Sequence, residues 1–382
     1  VIFQLGYSSL VMLFSIGMRF IQPIVYQSAS QGRGSLQPKG SATYDLRLIA
    51  GGLLVGVICF FLASVLHTQV FSLLVGVEYR QGGTLKTVRA GEVILSGGAI
   101  NSPQLLQLSG IGPGALLSDM GIPVIVDAPQ VGQNLQDHLG VYLTYACKDP
   151  VTLYALFRPD RALGALLRGW FLRQGPMVAV PLEAGGFLKT RHDLDRPDIH
   201  ITFVPGLSLE TTQKGQGQHG YIINFYQLRP ESRGEVRITT PDPRRAPLID
   251  PRYLTAEADV ICMRDGVRLA RRIGENPALS RHKKADLSPT ERDLANDAGI
   301  DAWVRGGANT IFHPVGTCRM GSDPVSVVDP ELRVRGVAGL RVVDASVMPS
   351  LIGGNTSAPT MMIAEKAADM IMGRTPLPRA SV

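Results

Sequence analysis

The chain has 382 residues, enough for about two or three domains of ordinary size, and its 45% hydrophobic content is that of a globular protein. The formal net charge of +6 comes without any Lys/Arg block, which excludes an obvious nucleic-acid footprint. Cys59, Cys147, Cys262 and Cys318 are scattered, with no C-x-x-C spacing and no Cys/His cluster, so they read as free thiols of a reducing compartment and no metal is expected.

Charge is unevenly spread. Residues 1–77 carry only Arg19, Arg33, Lys39, Asp45 and Arg47, while the rest has ordinary charge density, and this marks the clearest boundary in the chain. Leu48 to Leu66 is uncharged, mainly apolar and about one bilayer long as a helix. Val1 to Met18 is a weaker candidate, broken by Gln4, Tyr7, Ser8, Ser9 and Ser15. Four basic residues and one acid between the two stretches would place that loop on the cytoplasmic side.

From residue 78 the patterning becomes that of a folded chain. Thr84 to Ser96 suggests short strands, with Val93-Ile94-Leu95 buried. Gly97-Gly98 turns the chain, and Asn101-Ser102-Pro103 reads as a helix start, with Ser102 as N-cap and Pro103 in the first turn. Leu116 to Met120 reads as the end of a helix capped by Gly121, and Val124-Ile125-Val126 as a strand. Ile199 to Val204, Tyr221 to Leu228 and Gly234 to Thr239 are β-rich; the last alternates as a half-buried strand should. Val260, Met263, Val267, Ala270 and Ile273 recur at helical spacing. Strands followed by such a helix predict an antiparallel sheet with helices on one face. Near the C-terminus, Leu332 to Arg335 and Leu340 to Val343 suggest two strands around a Gly turn. Thr360 to Ile371 suggests a helix burying Met361, Ala364, Ala368 and Ile371, with Asp369 at the surface.

Three polar blocks punctuate these elements. One is G-A-I-N-S-P-Q-L-L-Q-L-S-G-I-G from Gly98, a strand, a Gly turn and a helix N-terminus, the local geometry that holds a phosphate or a ring edge. The second is V-G-Q-N-L-Q-D-H, Val131 to His138, where a lone histidine is more often structural than catalytic. The third runs from Asn309 to Ala364 and carries His313 in F-H-P-V-G-T, Asp344-Ala345 at the end of an apolar strand, and Asn355 behind a Gly-Gly pair in N-T-S-A-P-T. Polar groups held on loops at strand and helix ends form a candidate site. Nothing suggests a hydrolase: no G-x-S-x-G elbow and no Walker A motif occurs.

Together the blocks resemble the glucose-methanol-choline (GMC) flavoprotein oxidoreductases, close to the choline dehydrogenase-like branch, from about Gly76 to about Gly373. The resemblance implies an α+β / α/β fold: an incomplete Rossmann-like FAD-binding domain, residues 78–140 and 309–374, and an antiparallel-sheet substrate domain, residues 141–308. It implies FAD as cofactor and oxidation of an alcohol to an aldehyde, with hydride passing to the flavin. The base that takes the hydroxyl proton would be His313, and the amide that steadies the alkoxide would be Asn355. Gly98, Ala99, Asn101, Ser102, Asn134, Asp344, Ala345 and Thr356 would lie along the cofactor, with Asp137 supporting its loop. Glu183, in P-L-E-A-G-G-F, resembles a substrate-side carboxylate suited to a quaternary ammonium.

The family opens with a βαβ unit and a G-x-G-x-x-G turn. Residues 1–77 hold none. Two readings of that segment stay open: an aberrant or truncated N-terminal end, or a membrane anchor through residues 48–66. The corresponding locations are the cytoplasm or an inner-membrane surface. Three functions therefore compete: a choline dehydrogenase-like FAD enzyme, a fragment or membrane-tethered remnant that holds no flavin, and a cyanohydrin-cleaving lyase such as some relatives are. The substrate alcohol and the electron acceptor are not fixed by these motifs.

Overall fold

A computed structural model describes residues 76–178, 184–207 and 217–375. The apolar stretch Leu48 to Leu66 and the carboxylate of Glu183 lie outside the described residues. Among the described residues no helix is long and apolar enough to cross a membrane.

The described residues open with the hairpin β1 (Gly76–Gln81) and β2 (Thr84–Arg89). Then come β3 (Val93–Leu95), helix α1 (Gly98–Leu108), β4 (Ile111–Gly112), α2 (Gly114–Asp119) and β5 (Val126–Asp127). The sheet region holds β6 (Leu139–Cys147), α3 (Pro159–Leu172), β7 (Ala184–Leu188), β8 (Ile199–Val204) and β9 (Gly220–Gln227). After it come β10 (Glu235–Arg237), β11 (Leu248–Asp250), α4 (Glu257–Gly274), α5 (Pro277–Ser280), β12 (Lys283–Ser288), α6 (Asp297–Gly307) and β13 (Asn309–Thr310). Last among the described elements are β14 (Leu340–Val342) and α7 (Ser357–Ile371).

Two apolar cores form. The first gathers Leu95, Leu106, Val315, Val328, Val342 and Ile363, and so joins α1, the parallel pair β3 and β14, the loops between residues 315 and 351, and α7. The second lies between an antiparallel six-stranded sheet, ordered β12-β6-β9-β8-β7 with β13 also paired to β6, and the helices α4 and α6. Strand alternation sends Val141, Leu143, Ile199, Ile201, Ile223 and Phe225 to that core. Helix α4 meets them with Val260, Met263, Val267 and Ala270, all buried at the spacing the sequence shows. The contact is close: a Cβ on Gly266 would fall 2.3 Å from Phe225 Cε2. The mixed α/β architecture with an antiparallel sheet agrees with the sequence expectation.

Five local expectations are corrected. Helix α1 starts at Gly98 rather than beyond Ser102, so Pro103 lies inside it. A proline there leaves the Ala99 carbonyl without its i+4 donor. The Thr317 hydroxyl supplies the missing proton, donating to Ala99 O at 2.6 Å. Only a distant side chain makes this start tolerable. Leu332 to Arg335 forms isolated bridges, Val328 to Val334 and Arg333 to Arg341, rather than a full strand. The strand expected at Val124 to Val126 begins only at its last residue. In α7 the buried face is Thr360, Ile363, Ala364 and Ala367; Met361, Ala368 and Ile371 are only half-buried. Thr360 can turn inward because its hydroxyl donates to the Thr356 carbonyl at 2.7 Å. Asp369 is likewise largely covered, its side chain 19% exposed and facing Arg374.

Candidate functional site

The second face of the six-stranded sheet is polar where the first is apolar. Register pairs Phe187 with His200, His200 with Tyr226, and Tyr226 with Gly140, so these four form one row across β7, β8, β9 and β6. A second row places Gly185, Thr202, Asn224 and Tyr142 beside it. The His200 ring stacks on Phe187 with centroids 4.4 Å apart, and Tyr226 meets His200 edge-on at 5.0 Å. Gly140 leaves room for the incoming chain, since a Cβ there would lie 2.8 Å from Ile311 Cγ2.

Against this face runs the loop that carries His313. Asp137 fixes it: one carboxylate oxygen accepts the His313 backbone N–H at 2.8 Å, and the other accepts the Tyr253 hydroxyl at 2.6 Å and the Thr310 hydroxyl. Burial pushes the Asp137 pKa up, and those donors counter it. The preceding residue, Phe312, has φ +66° and is 77% exposed, so the chain turns sharply just before the histidine.

The tautomers follow from the bonding. His138 Nε2 lies 3.0 Å from the Leu228 carbonyl, which can only accept, so Nε2 carries the proton. Burial lowers the His138 pKa to about 4 and keeps the ring neutral near pH 7. Its Nδ1 is then an acceptor. His313 Nδ1, 2.9 Å away, must donate to it. That leaves the lone pair of His313 on Nε2. Burial, with a smaller contribution from His200, lowers the His313 pKa to about 4 as well, so Nε2 stays a free base across the neutral range.

Asn355 is oriented from the sheet. The Tyr226 hydroxyl donates its one proton to Asn355 Oδ1 at 2.8 Å. His200 Nδ1 lies 2.5 Å from the same hydroxyl oxygen and donates to it. With Oδ1 engaged, the two N–H bonds of Nδ2 point away from Tyr226, and Asn355 is solvent-exposed. The Tyr226 ring also lies 4.9 Å from His138 and 5.9 Å from His313. His313 and Asn355, 42 positions apart, therefore meet around one tyrosine.

The residues expected along the cofactor lie at the α1 start, the end of β14 and the loops beside them. Asp344 is 2% exposed and accepts from Ser102 Oγ at 2.5 Å, Gly98 N at 2.9 Å and Ser346 N at 2.8 Å. Its side chain and that of Ser102 are thus spent on each other, tying the α1 N-terminus to the end of β14. Burial raises the Asp344 pKa against these bonds. Gly98 has φ +77°, a backbone that side chains disfavour. Ala99, Ala345 and Thr356 are buried, and Asn101 is half-buried on α1. Asn134, at φ +64°, donates from Nδ2 to the carbonyls of Gly316 and Pro349 at 3.2 Å each and so clamps three loops. Sequence reading passed over His200, Tyr226 and Thr317. The first two are polar interruptions of apolar strands, a visible signal, but only strand register shows that they face each other.

Two models of the GMC oxidoreductase family match the chain, over residues 63–140 and 230–364. The chain belongs to the GMC oxidoreductase family. It is 46% identical over 313 residues to an oxygen-dependent choline dehydrogenase of Pseudomonas fluorescens, covering 80% of this chain and 54% of that protein. It thus spans about half the length of the curated relatives it matches. Among solved structures, formate oxidase of Aspergillus oryzae RIB40, described for modification of its FAD, aligns with TM-score 0.76 at 29% identity over 81% of this chain and 59% of its own. Pyridoxine 4-oxidase from Mesorbium loti aligns with TM-score 0.70 at 29% identity, covering 82% of this chain and 57% of its own.

The residues present fit the ring side of a flavin. Helix α7 starts at Thr356 with no side-chain cap, and no acid sits in its first turn. Its leading N–H groups are thus left to an electron-rich partner, beside the exposed Asn355 amide. The α1 start differs, since its Gly98 N–H is already taken by the Asp344 carboxylate and its Gly97 N–H by Ser102 Oγ. Among the described residues, parallel pairing of strands is limited to β3 with β14 and β4 with β5, so these residues do not include the βαβ cradle for a dinucleotide pyrophosphate.

Proposed function

We propose that this chain carries the substrate-side chemistry of an FAD-dependent oxidoreductase acting on CH–OH donors. The observation that supports it is the joint placement of a neutral imidazole with a free Nε2 and an amide with free N–H bonds around Tyr226. His313 Nε2 takes the hydroxyl proton of the alcohol. Asn355 Nδ2 donates to the oxygen as it gains negative charge. His138, donating its Nε2 proton to the Leu228 carbonyl, keeps the His313 proton on Nδ1 and so keeps His313 Nε2 basic. Asp137 holds the loop in register. FAD, when bound, supplies the acceptor for the hydride leaving the carbinol carbon, a task no side chain can perform.

The same reading assigns residues 78–140 and 309–374 to the cofactor side and residues 141–308 to the substrate side. The choline dehydrogenase relatives favour a small alcohol with a cationic group. Glu183 is the carboxylate proposed to receive that cation.

The deciding experiment is direct. The purified chain is incubated with FAD, freed of excess, and scanned for flavin absorbance before and after anaerobic addition of choline or a simple primary alcohol. The expected outcome is a bound flavin that bleaches with alcohol. A protein that stays colourless in excess FAD removes the proposal for this chain and leaves the flavin-free fragment.

A further inference from the structure

The loop that delivers Asn355 is held near both ends. Leu351 N donates to Gln136 Oε1 at 3.0 Å, and Asn355 Oδ1 accepts the Tyr226 hydroxyl at 2.8 Å. Between those points the chain bends through Gly353 and Gly354. Gly353 does not lie in the left-handed region that favours glycine; what it lacks is space. A Cβ there would fall 2.3 Å from Arg229 Nη2, 2.9 Å from Cζ and 3.5 Å from Nε. The Arg229 guanidinium therefore lies against the Gly353 backbone, two residues before the amide.

Arg229 is itself fixed to the sheet. It stands two residues past β9, where the Leu228 N–H donates to the Asp198 carbonyl at 2.8 Å and prolongs the pairing with β8. Its Nη1 donates to the Pro197 carbonyl at 2.8 Å. Burial lowers its pKa and Arg196 adds to that, yet a guanidinium stays charged at any working pH. Asp198, the acid that opposes the shift, already accepts from the Thr190 N–H and hydroxyl. Among the described residues no carboxylate forms an ion pair with Arg229, so neutralising an acid does not account for it. What the rigid fork does is span a gap, with one arm on the entry to β8 and the rest against Gly353.

We propose that Arg229 is a positioning residue, the stop against which the Gly353-Gly354 bend rests, and that it sets where the Asn355 amide stands. The inference rests on the reading of Asn355 as donor to the developing alkoxide. Tyr226 fixes the direction of the amide by holding Oδ1, and Arg229 fixes the place of the backbone that carries it. A displaced amide meets the forming oxyanion at poor geometry, which costs turnover and leaves ground-state binding alone.

In the flavin-loaded chain, Arg229→Met should lower kcat about tenfold with KM nearly unchanged. In an Asn355→Ala background the same change should cost nothing further, because nothing is left to place. Arg229→Lys keeps the charge without the planar fork and should match Arg229→Met. An equal loss in both backgrounds would overturn the inference, as a general disturbance of the fold. So would full recovery with lysine, which would make charge the active property, or a rise in KM with kcat intact, which would make Arg229 a substrate contact. Thermal unfolding of the chain without flavin separates this inference from the proposed function. Gly353→Ala should lower the melting temperature of the parent and lower it less in Arg229→Ala, where the added methyl has room. Equal falls in the two backgrounds would overturn the contact. A parent that binds no FAD ends the proposed function and leaves this thermal cycle to judge the role of Arg229, with circular dichroism checking that each variant folds.

Discussion

Phe225 and Tyr226 are neighbours on β9, and they belong to opposite halves of the protein's physics. Phe225 is fully buried against α4, where Gly266 exists to admit its ring. Tyr226 is 4% exposed, but its hydroxyl is bonded to Asn355 and His200. One face of the sheet is dry and jammed; the other is a chain of directed hydrogen bonds. The dry face holds the strands in register, and that register sets His200 opposite Tyr226 and Tyr226 beneath Asn355. On the proposed function, stability and chemistry draw on adjacent residues through separate interactions, and substitutions should separate them.

The largest expected effect is on the polar face. In the flavin-loaded chain, His313→Ala should lower alcohol oxidation by about 10²–10⁴-fold, measured as kcat/KM, with the melting temperature little changed. A turnover equal to the parent's would remove His313 from the reaction. Its counterpart on the dry face is Phe225→Ala, expected to cost about 3–5 kcal/mol of stability in denaturant unfolding, because a large ring leaves a cavity that α4 cannot close. If Phe225→Ala instead left stability intact and removed activity, the division between the faces would be wrong.

Smaller effects sharpen the comparison. Asn355→Ala should cost about 10²-fold in kcat, as loss of one oxyanion donor does, while flavin absorbance is retained. Tyr226→Phe keeps the ring and deletes only the hydroxyl that orients Asn355; a loss of about tenfold in kcat with KM nearly unchanged is expected, less than removal of the amide itself. The pH profile gives the subtlest test. His313 titrates at about 4 when folded, against 6.5 for an ordinary histidine. A lowered pKa means the free base persists as pH falls, so the acid limb of kcat/KM should lie near pH 4 and not near 6.5. The same sign applies to stability. The unfolded chain takes up protons on His138 and His313 near 6.5 while the folded one does not, so stability is present above 6.5 and declines as pH falls toward about 4.

Periodicity alone located much of the fold. The α4 stripe and the strands β8 and β9 are read directly from the order of apolar residues, because a helix or strand that packs on one face must repeat its apolar positions at its own period. The blocks around His138, His313 and Asn355 likewise announce a site, since polar groups in Gly- and Pro-rich loops have no role in a core. What failed locally failed for tertiary reasons. Pro103 looked like a helix start because the chain cannot show that Thr317, over 200 residues away, replaces its missing donor. Thr360 is missing from the expected buried face of α7 because a hydroxyl belongs in a core only when it has a partner, here its own i−4 carbonyl. Helix α3 escaped because its apolar stripe, Leu163 to Trp170, reads as any buried helix would; only the fold shows that the stripe faces out.

By itself the sequence determined which side chains could do chemistry: one imidazole, one amide and the loops that hold them. The tertiary structure decided their protonation and direction. The Leu228 carbonyl fixes the His138 tautomer, His138 in turn fixes that of His313, and Tyr226 turns the Asn355 amide. These are consequences of hydrogen-bond direction between groups distant in sequence, and direction is a property of the folded arrangement, which no residue carries alone.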